Sequence, residues 1–489
     1  MDLVSVILFL VMYYIRPQEW GKLFAKVHFV QLVMYMAVAS LIFRERSLKL
    51  RDFLKTPHDW MMLLLFVWMI GSSPDSWTTF CNNYPLAVFY IVIVQSLTTG
   101  DRLRTFVGWW TFLIVTIALL AIASEYGFDP LGGNDITHGR MKDRLILNLW
   151  IFNNPNALGH NVAPSIPMLY FFCIWKRPLF FKQLGCALLL IPLYCVALTV
   201  SKGAMLTSGI ILVATLVFGR PKTVQIAILI AAAMIGTAVF YQLPRMNELQ
   251  HAKSDAAIEG RVVAFMHGYK ILTEEIRGVG RDRWVPSFYR AHHYNKACHS
   301  SYVQVGAETG MPGLFLYLGV LYCCLRTLMM AKTDNPGDER VRRTLFVLVM
   351  SYMISSWMVD FGFRPTFFMF SAAIAAFHRH LYKLNEPELE TEEEAKTVPV
   401  PAWRARLTPQ PALSRAMVSA GGPVGATVFT MTPVNRQPWL TRASAEKEAD
   451  EEAAKLPRFW NKIGLVDIVL MALMTYLAIQ TWAFLIRKM

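Results

Sequence analysis

Residues 105–124, TFVGWWTFLIVTIALLAIAS, run for twenty positions without one charged side chain. A helix rises about 1.5 Å per residue, so about twenty apolar residues cover the ~30 Å hydrocarbon core of a bilayer. Residues 183–201 and 224–244 repeat the pattern, again without Asp, Glu, Lys or Arg. The composition agrees, because 55% of the 489 residues are hydrophobic and only 17% charged, against roughly 25% charged in soluble chains. Three soluble domains, the expectation from length alone at about 150 residues each, do not fit. The chain reads as an all-α polytopic membrane protein.

The charge balance then acquires a meaning. There are 48 Lys and Arg against 34 Asp and Glu, a net charge of +14. In a membrane protein such an excess marks cytoplasmic loops rather than contact with nucleic acid. Basic loops at 44–55, 102–104, 176–182, 220–222 and 332–343 are separated by two apolar spans each, and alternation places them in the cytoplasm. The loops around 16–26, 73–83, 124–145, 201–203, 243–299 and 360–365 fall on the other side. This gives twelve spans over residues 1–383, several of them short, notably Leu3–Ile15 and Thr366–Phe377. Leu3–Ile15 follows Asp2 rather than a basic cluster and lacks a small-residue cleavage site, so it is expected to stay as the first helix.

Residues 384–460 are expected to form a cytoplasmic segment, acidic over 386–394 and proline-rich from Pro399 to Pro438, with too few large apolar residues to bury a core. Residues 463–489 hold a thirteenth apolar span, and if it crosses, Arg487 and Lys488 end on the non-cytoplasmic side. The seven cysteines lie mostly within apolar runs, where the thiol acts as a small hydrophobe. Cys81 and Cys298 share a side, which permits a disulfide without indicating one.

The loop 243–299 departs from the charge rule, with nine Lys and Arg against six Asp and Glu and with five of the eleven histidines. Basic residues are depleted on this side of a membrane, so the density has a cause. Either the cations pair with the loop's own carboxylates on a solvated surface, or the loop binds anions, where arginine can grip phosphate oxygens bidentately. Within it, Val262, Phe265, Tyr269 and Leu272 have helical spacing, so Gly260–Glu275 is expected to form a helix on the membrane surface that ends at the turn Gly278-Val-Gly280. His299 stands where the loop re-enters the membrane, as a structural hydrogen-bonder or as an acid-base group.

Four stretches carry a family resemblance: Phe152-Asn-Asn-Pro-Asn-Ala-Leu-Gly159, Ser201-Lys-Gly-Ala204, Gly260-Arg261 through Gly278-Val-Gly280, and His299-Ser-Ser-Tyr302 with Glu308-Thr-Gly310. In this order, residues 1–383 resemble the O-antigen ligase and polymerase superfamily, whose members transfer glycans from polyprenyl-diphosphate carriers outside the bacterial inner membrane. Arg16-Pro-Gln-Glu-Trp20 also resembles the start of the exosortase-associated glycosylation-ligase branch. The resemblance implies an inner-membrane protein with twelve spans, a large helical periplasmic loop and a periplasmic active site. It implies His299, Arg261 and Lys202 as catalytic residues, and Arg277, Tyr302, Asn154, Asn156 and Glu308 as substrate-binding ones. The implied donor is an undecaprenyl-diphosphate glycan; the acceptor is a hydroxyl of a glycolipid, polysaccharide or protein, and membrane lipids are partners. Lys202 stands where the family usually has arginine, which keeps the charge and loses the fork geometry.

This chemistry needs cations to hold the diphosphate and one base for the acceptor hydroxyl. Direct displacement would invert the anomeric carbon, and neither a metal nor an organic cofactor is called for. The chain contains no DxD triplet, the usual holder of a metal-bound nucleotide sugar. Residues beyond 383 lie outside the family pattern and are expected to serve a partner protein. A polymerase of the same superfamily, a multi-span transporter or flippase, and an inactive secretion scaffold are the alternatives. Transport would place ionisable residues near the bilayer midplane, whereas charge here collects in one loop.

Overall fold

The computed structural model describes residues 2–20, 28–44, 53–128, 143–147, 149, 152–242, 256–333, 335–382 and 462–488. The first half comprises α1 (Asp2–Ile15), the short α2 (Pro17–Trp20), α3 (Phe29–Arg44), α4 (Pro57–Gly71), α5 (Ser76–Ser96) and α6 (Gly100–Glu125). Next come α7 (Pro155–Val162) and α8 (Ser165–Leu169), which runs on into a π-helical turn at Tyr170–Ile174, then α9 (Leu179–Leu198), α10 (Lys202–Val217) and α11 (Lys222–Gln242). The chain continues through α12 (Ala256–Glu274), α13 (Trp284–His292), α14 (Ser301–Met330), α15 (Pro336–Ser355) and α16 (Pro365–Leu381), and the described part ends with α17 (Leu465–Lys488). No β-strand occurs among the described residues.

Among the described residues six helical stretches are long and apolar enough to cross a membrane: α5, α6, the composite Pro155–Ile174, α9, α14 and α17. Twelve spans plus one were expected, and several of the other helices are shorter. Helices α1, α3, α4 and α10 contain 14 to 16 residues, which at about 1.5 Å per residue reach only ~21–24 Å. Helix α15 opens with Asp338, Glu339, Arg340, Arg342 and Arg343, so only its second half is apolar.

Polar contacts sort the helix ends into two groups. At one end Arg102 bonds Asp2 (2.7 Å) and the Ser96 carbonyl (2.8 Å), Arg104 bonds Asp338 (3.0 Å), and Arg343 donates to the Phe218 carbonyl (3.1 Å). Arg220 reaches the Tyr170 hydroxyl (3.0 Å) and Arg379 the Phe53 carbonyl (3.3 Å) at the same end. The five loops that carry the Lys and Arg clusters therefore share one end. The opposite end gathers the starts of α7, α10, α14 and α16.

Near the basic end, Thr56 and Asp59 form a reciprocal capping box at the start of α4, with Pro57 in the first turn. Asp59 also accepts from Arg379 of α16 (2.8 Å) and from the Tyr90 hydroxyl of α5 (3.0 Å). Both members of the ion pair are almost fully enclosed, at 1% and 2% side-chain exposure. One carboxylate thus caps its own helix and ties two others to it.

Two elements pack against α14. Helix α12 starts at Ala256, so Gly260-Arg261 lies in its second turn, and α12 is packed along α14 and α17 through Ala264, Phe265, Ile271 and Leu272. A helix with that apolar stripe gains more by facing two helices than by resting alone on lipid. Helix α17 belongs to the same compact unit as residues 1–385 and runs antiparallel to α14: Asp467 pairs with Arg326 and accepts from Tyr322 (2.7 Å), while Trp482 lies beside Gly306. Arg487 and Lys488 therefore end on the α7/α10/α14 side. All seven cysteines are free, Cys81 exposed and Cys298 buried. The expectations for 384–460, and for Arg245, Glu248, His251, Lys253 and Asp255, lie outside the described residues.

Removing one partner of a buried ion pair leaves an uncompensated charge, at a cost of about 3–5 kcal/mol. Asp59→Ala should therefore lower the thermal unfolding temperature of the purified protein sharply. The double variant Asp59→Ala with Arg379→Met should recover most of that loss.

Candidate functional site

The Asn-Pro-Asn segment folds as a helix start. Asn154 is the N-cap of α7, its side-chain oxygen accepting from the backbone N–H of Asn156 (2.9 Å) and Ala157 (3.3 Å), with Pro155 at the first helical position. Asn156 then faces sideways, and its Oδ1 accepts from Ser201 Oγ (2.7 Å) and from an Arg144 guanidinium nitrogen (2.8 Å). Arg144 also donates to the Thr199 carbonyl (2.9 Å). Ser201 in turn caps α10, whose first residue is Lys202, half-buried. Two helix starts 45 residues apart in sequence are thus joined through one amide oxygen.

The His299 segment is held by a second lock. Ser300 caps α14 and donates to the Ser356 carbonyl (3.0 Å), while the Ser301 N–H donates to the same oxygen (2.7 Å). Ser301 Oγ donates to the Val359 carbonyl (2.8 Å) and accepts from the Phe361 N–H (2.9 Å). The turn between α15 and α16 is thereby pinned to the start of α14. His299 itself has φ +52°, in the left-handed region, and Val200 before the α10 cap has φ +47°. Such backbone in a non-glycine residue costs free energy and persists where surrounding contacts impose it. Here the neighbouring caps impose it, and His299 turns out of the helix line.

These two locks share one cleft, bordered by Asn153, Asn154, Asn156, His299, Asp360 and Arg364 among others. Burial holds the His299 pKa below the usual histidine value; the charges of Arg261 and Lys296 push the same way, and Asp360 opposes them. Arg261 stands at the border, its guanidinium 3.9 Å from the sulfur of Met358, two residues from Asp360. Met358 also flanks Gly203, next to Lys202. Four helix N-termini, those of α7, α10, α14 and α16, open here, and helix starts favour negative charge. Asp360 is the single carboxylate among the described residues lining the cleft.

The remaining residues named from the sequence lie elsewhere. Tyr302 is 3% exposed and donates to the Met353 carbonyl (2.9 Å), beneath the cleft. Glu308 is buried and accepts from Arg281 (2.9 Å), whose guanidinium covers the Phe363 ring at 4.3 Å. Beside that pair, Val279 and Gly280 donate to the carbonyls of Ala307 and Glu308 (both 2.9 Å), so Gly278-Val-Gly280 docks on α14. The docking works because α14 breaks at Gly310 (φ 67°, ψ −171°), where a Cβ would collide with the Ile276 carbonyl; only glycine takes that conformation readily. Arg277 is exposed and stands roughly 20 Å along the α12 axis from Arg261, at about 1.5 Å per residue. One diphosphate cannot touch both. His267 and His292 pack with Trp284 and Phe288 where α13 meets α12, and burial followed by the His292 charge lowers the His267 pKa.

Asp360, Arg364, Arg144 and Lys296 were not singled out from the sequence. The available signal was their placement in loops on the same side as 243–299. Among the described residues no group of three or more His, Cys, Asp or Glu is arranged to hold a metal ion.

Residues 187–318 match a family model described as O-antigen ligase. The match runs from within α9 to the middle of α14 and takes in Lys202, Arg261, His299 and Glu308, and it supports the O-antigen ligase superfamily. Among curated proteins no match was found.

Asn156→Ala takes one acceptor from both Arg144 and Ser201. Leaving buried donors unmade costs about 1–3 kcal/mol, so thermal unfolding of this variant should fall accordingly. Asn156→Asp, which keeps the oxygen, should retain wild-type stability.

Proposed function

We propose, with the O-antigen ligase match as premise, that the cleft transfers a glycan from an undecaprenyl-diphosphate carrier to an acceptor hydroxyl at the periplasmic face of the bacterial inner membrane. The observation that carries this reading is that His299 and the Asn154/Asn156 segment, far apart in sequence, line one cleft with Arg364, while Arg261 and Gly203, next to Lys202, both lie against Met358 beside it. Arg261 and Lys202 would hold the diphosphate, assisted by Arg364 and by the helix starts. Their charge favours the transition state more than the ground state, because negative charge grows on the bridging oxygen as the sugar departs.

The acceptor oxygen attacks the anomeric carbon from the face opposite the diphosphate, the carbon–oxygen bond to phosphate breaks, and configuration inverts. The hydroxyl proton passes to the neutral imidazole of His299, and Asp360 offsets the positive charge that then develops. Asn154 and Asn156 border the space for the sugar. Tyr302 and Glu308 take supporting roles in this scheme: Tyr302 fixes the His299 segment from beneath, and Glu308 anchors Arg281 and the Gly278-Val-Gly280 turn. Arg277, remote from the cleft, takes no part in this scheme. A polymerase of the same superfamily would use the same groups with a glycan end as acceptor. Supplying purified donor with either a glycolipid or a lipid-linked glycan acceptor separates the two.

Arg261→Ala should abolish transfer while the protein stays folded, and Lys202→Arg should be tolerated. General-base catalysis contributes typically about 100-fold to 10,000-fold, so His299→Ala should lower turnover within that range while donor binding persists. Near-normal transfer by folded His299→Ala protein would remove the base from this scheme. Because the base works when neutral and its pKa is depressed, the acid limb of the rate profile should lie below the ordinary histidine value of about 6.5. Removing the opposing carboxylate, Asp360→Asn, should move that limb to still lower pH.

Sidedness is testable separately. With Cys81 and Cys186 changed to serine, an impermeant thiol reagent on intact spheroplasts should label Arg290→Cys and spare Lys332→Cys. The reverse pattern would invert the topology.

A further inference from the structure

Helix α17 lies outside the matched family segment, and its contacts fall on a stripe. Asp467, Met471, Thr475 and Trp482 are buried, while Tyr476, Leu477 and Phe484 are more than half exposed. An aromatic anchor at a membrane interface keeps its ring at the headgroup level. Trp482 does otherwise, at 1% exposure. Its indole N–H donates to the Phe265 carbonyl of α12 (3.1 Å), and its ring meets Tyr269 edge-on at 5.8 Å.

The ring is wedged between two glycines. A Cβ on Gly268 of α12 would come 3.0 Å from Trp482 Cζ2, and one on Gly306 of α14 would come 3.1 Å from Cζ3. A Cβ on Gly268 would meet Val303 Cγ1 first (2.6 Å), and at both positions it would press on the indole closely enough that the ring would have to shift. Phe265 is four residues after Arg261, and Gly306 is seven after His299, about one and two helical turns respectively at ~5.4 Å per turn. The indole thus fills the gap between the two helices that deliver Arg261 and His299, a short way behind both. At the other end of α17 the buried Asp467, paired with Arg326 and bonded to Tyr322, fixes the helix along α14.

We propose that Trp482 is a positioning residue: it sets the separation of α12 and α14, and with it the placement of Arg261 relative to His299, so the C-terminal helix is part of the transfer site. The helix-spacing half stands on the packing; the catalytic half rests on the function proposed above. A polar bond plus a close-packed ring holds a distance in a way that lipid chains, which are fluid, do not.

The test uses the full-length chain in lipid nanodiscs, with Trp482→Ala and Trp482→Phe. Amide hydrogen exchange over residues 261–274 reads the spacing without any chemistry, and transfer from a purified undecaprenyl-diphosphate glycan gives kcat and donor KM. Displacement of a catalytic group by about 1 Å can cost ~100-fold in rate, so Trp482→Ala should lower kcat by up to that factor with donor KM changed far less. Exchange in α12 should quicken while α4, α5 and α16 stay protected, and Trp482→Phe should restore most of both readouts. Unchanged exchange and unchanged kcat in Trp482→Ala would overturn the proposal, as would faster exchange throughout the protein that phenylalanine fails to rescue. If the wild type transfers nothing while α12 exchange responds as described, the spacing role stands and the proposed function falls.

Discussion

Two serine hydroxyls hold the candidate site together. Ser300 and Ser301 bond the backbone of residues 356–361, and with that they fix the turn between α15 and α16 against the start of α14. His299 on one side and Asp360 and Arg364 on the other face the same cleft only because this seam exists. The seam spans about sixty residues of sequence, so it joins parts of the chain that only packing brings together. Asn156 makes the equivalent seam for α7 and α10. Each joins helix starts, where backbone N–H groups lack partners within the helix and side-chain oxygens are most useful.

The interior follows a single electrostatic rule. In a low-dielectric setting a polar group needs a partner, and a charge needs an opposite one. Asp59 with Arg379 and Tyr90 is the deeply enclosed example, and Asp467 with Arg326 and Tyr322 the partly buried one. Both are acid–base–phenol triads that join helices from distant parts of the chain. At the cleft Asp360 and Arg364 line the wall together, and the helix starts at Asn154 and Arg364 add positive potential.

Much of this was legible in the sequence, and the parts that were not share a cause. Charge-free runs announced the helices, and the Asn-Pro-Asn, Ser-Lys-Gly and His-Ser-Ser-Tyr segments drew attention through their resemblance to a known family. Asp360 and Arg364 drew none: nothing in the short loop that carries them points to His299, about sixty residues earlier. The reverse holds for Glu308 and Tyr302, which stand beside the histidine segment in sequence yet turn into packing, one bound to Arg281 and the other to the Met353 carbonyl. Arg277 shares the basic loop with Arg261 and is separated from it by the length of α12.

The sequence by itself determined that the chain is helical and membrane-embedded, which loops carry its positive charge, and where its helices begin, since hydropathy and capping act over a few neighbouring residues. Only the tertiary structure decided which helix starts meet, which carboxylate faces His299, and that α17 closes against α12 through Trp482. Those are matters of which side chains fill the space between helices. Packing of that kind depends on shape and distance across the whole assembly, and no local pattern along the chain records it.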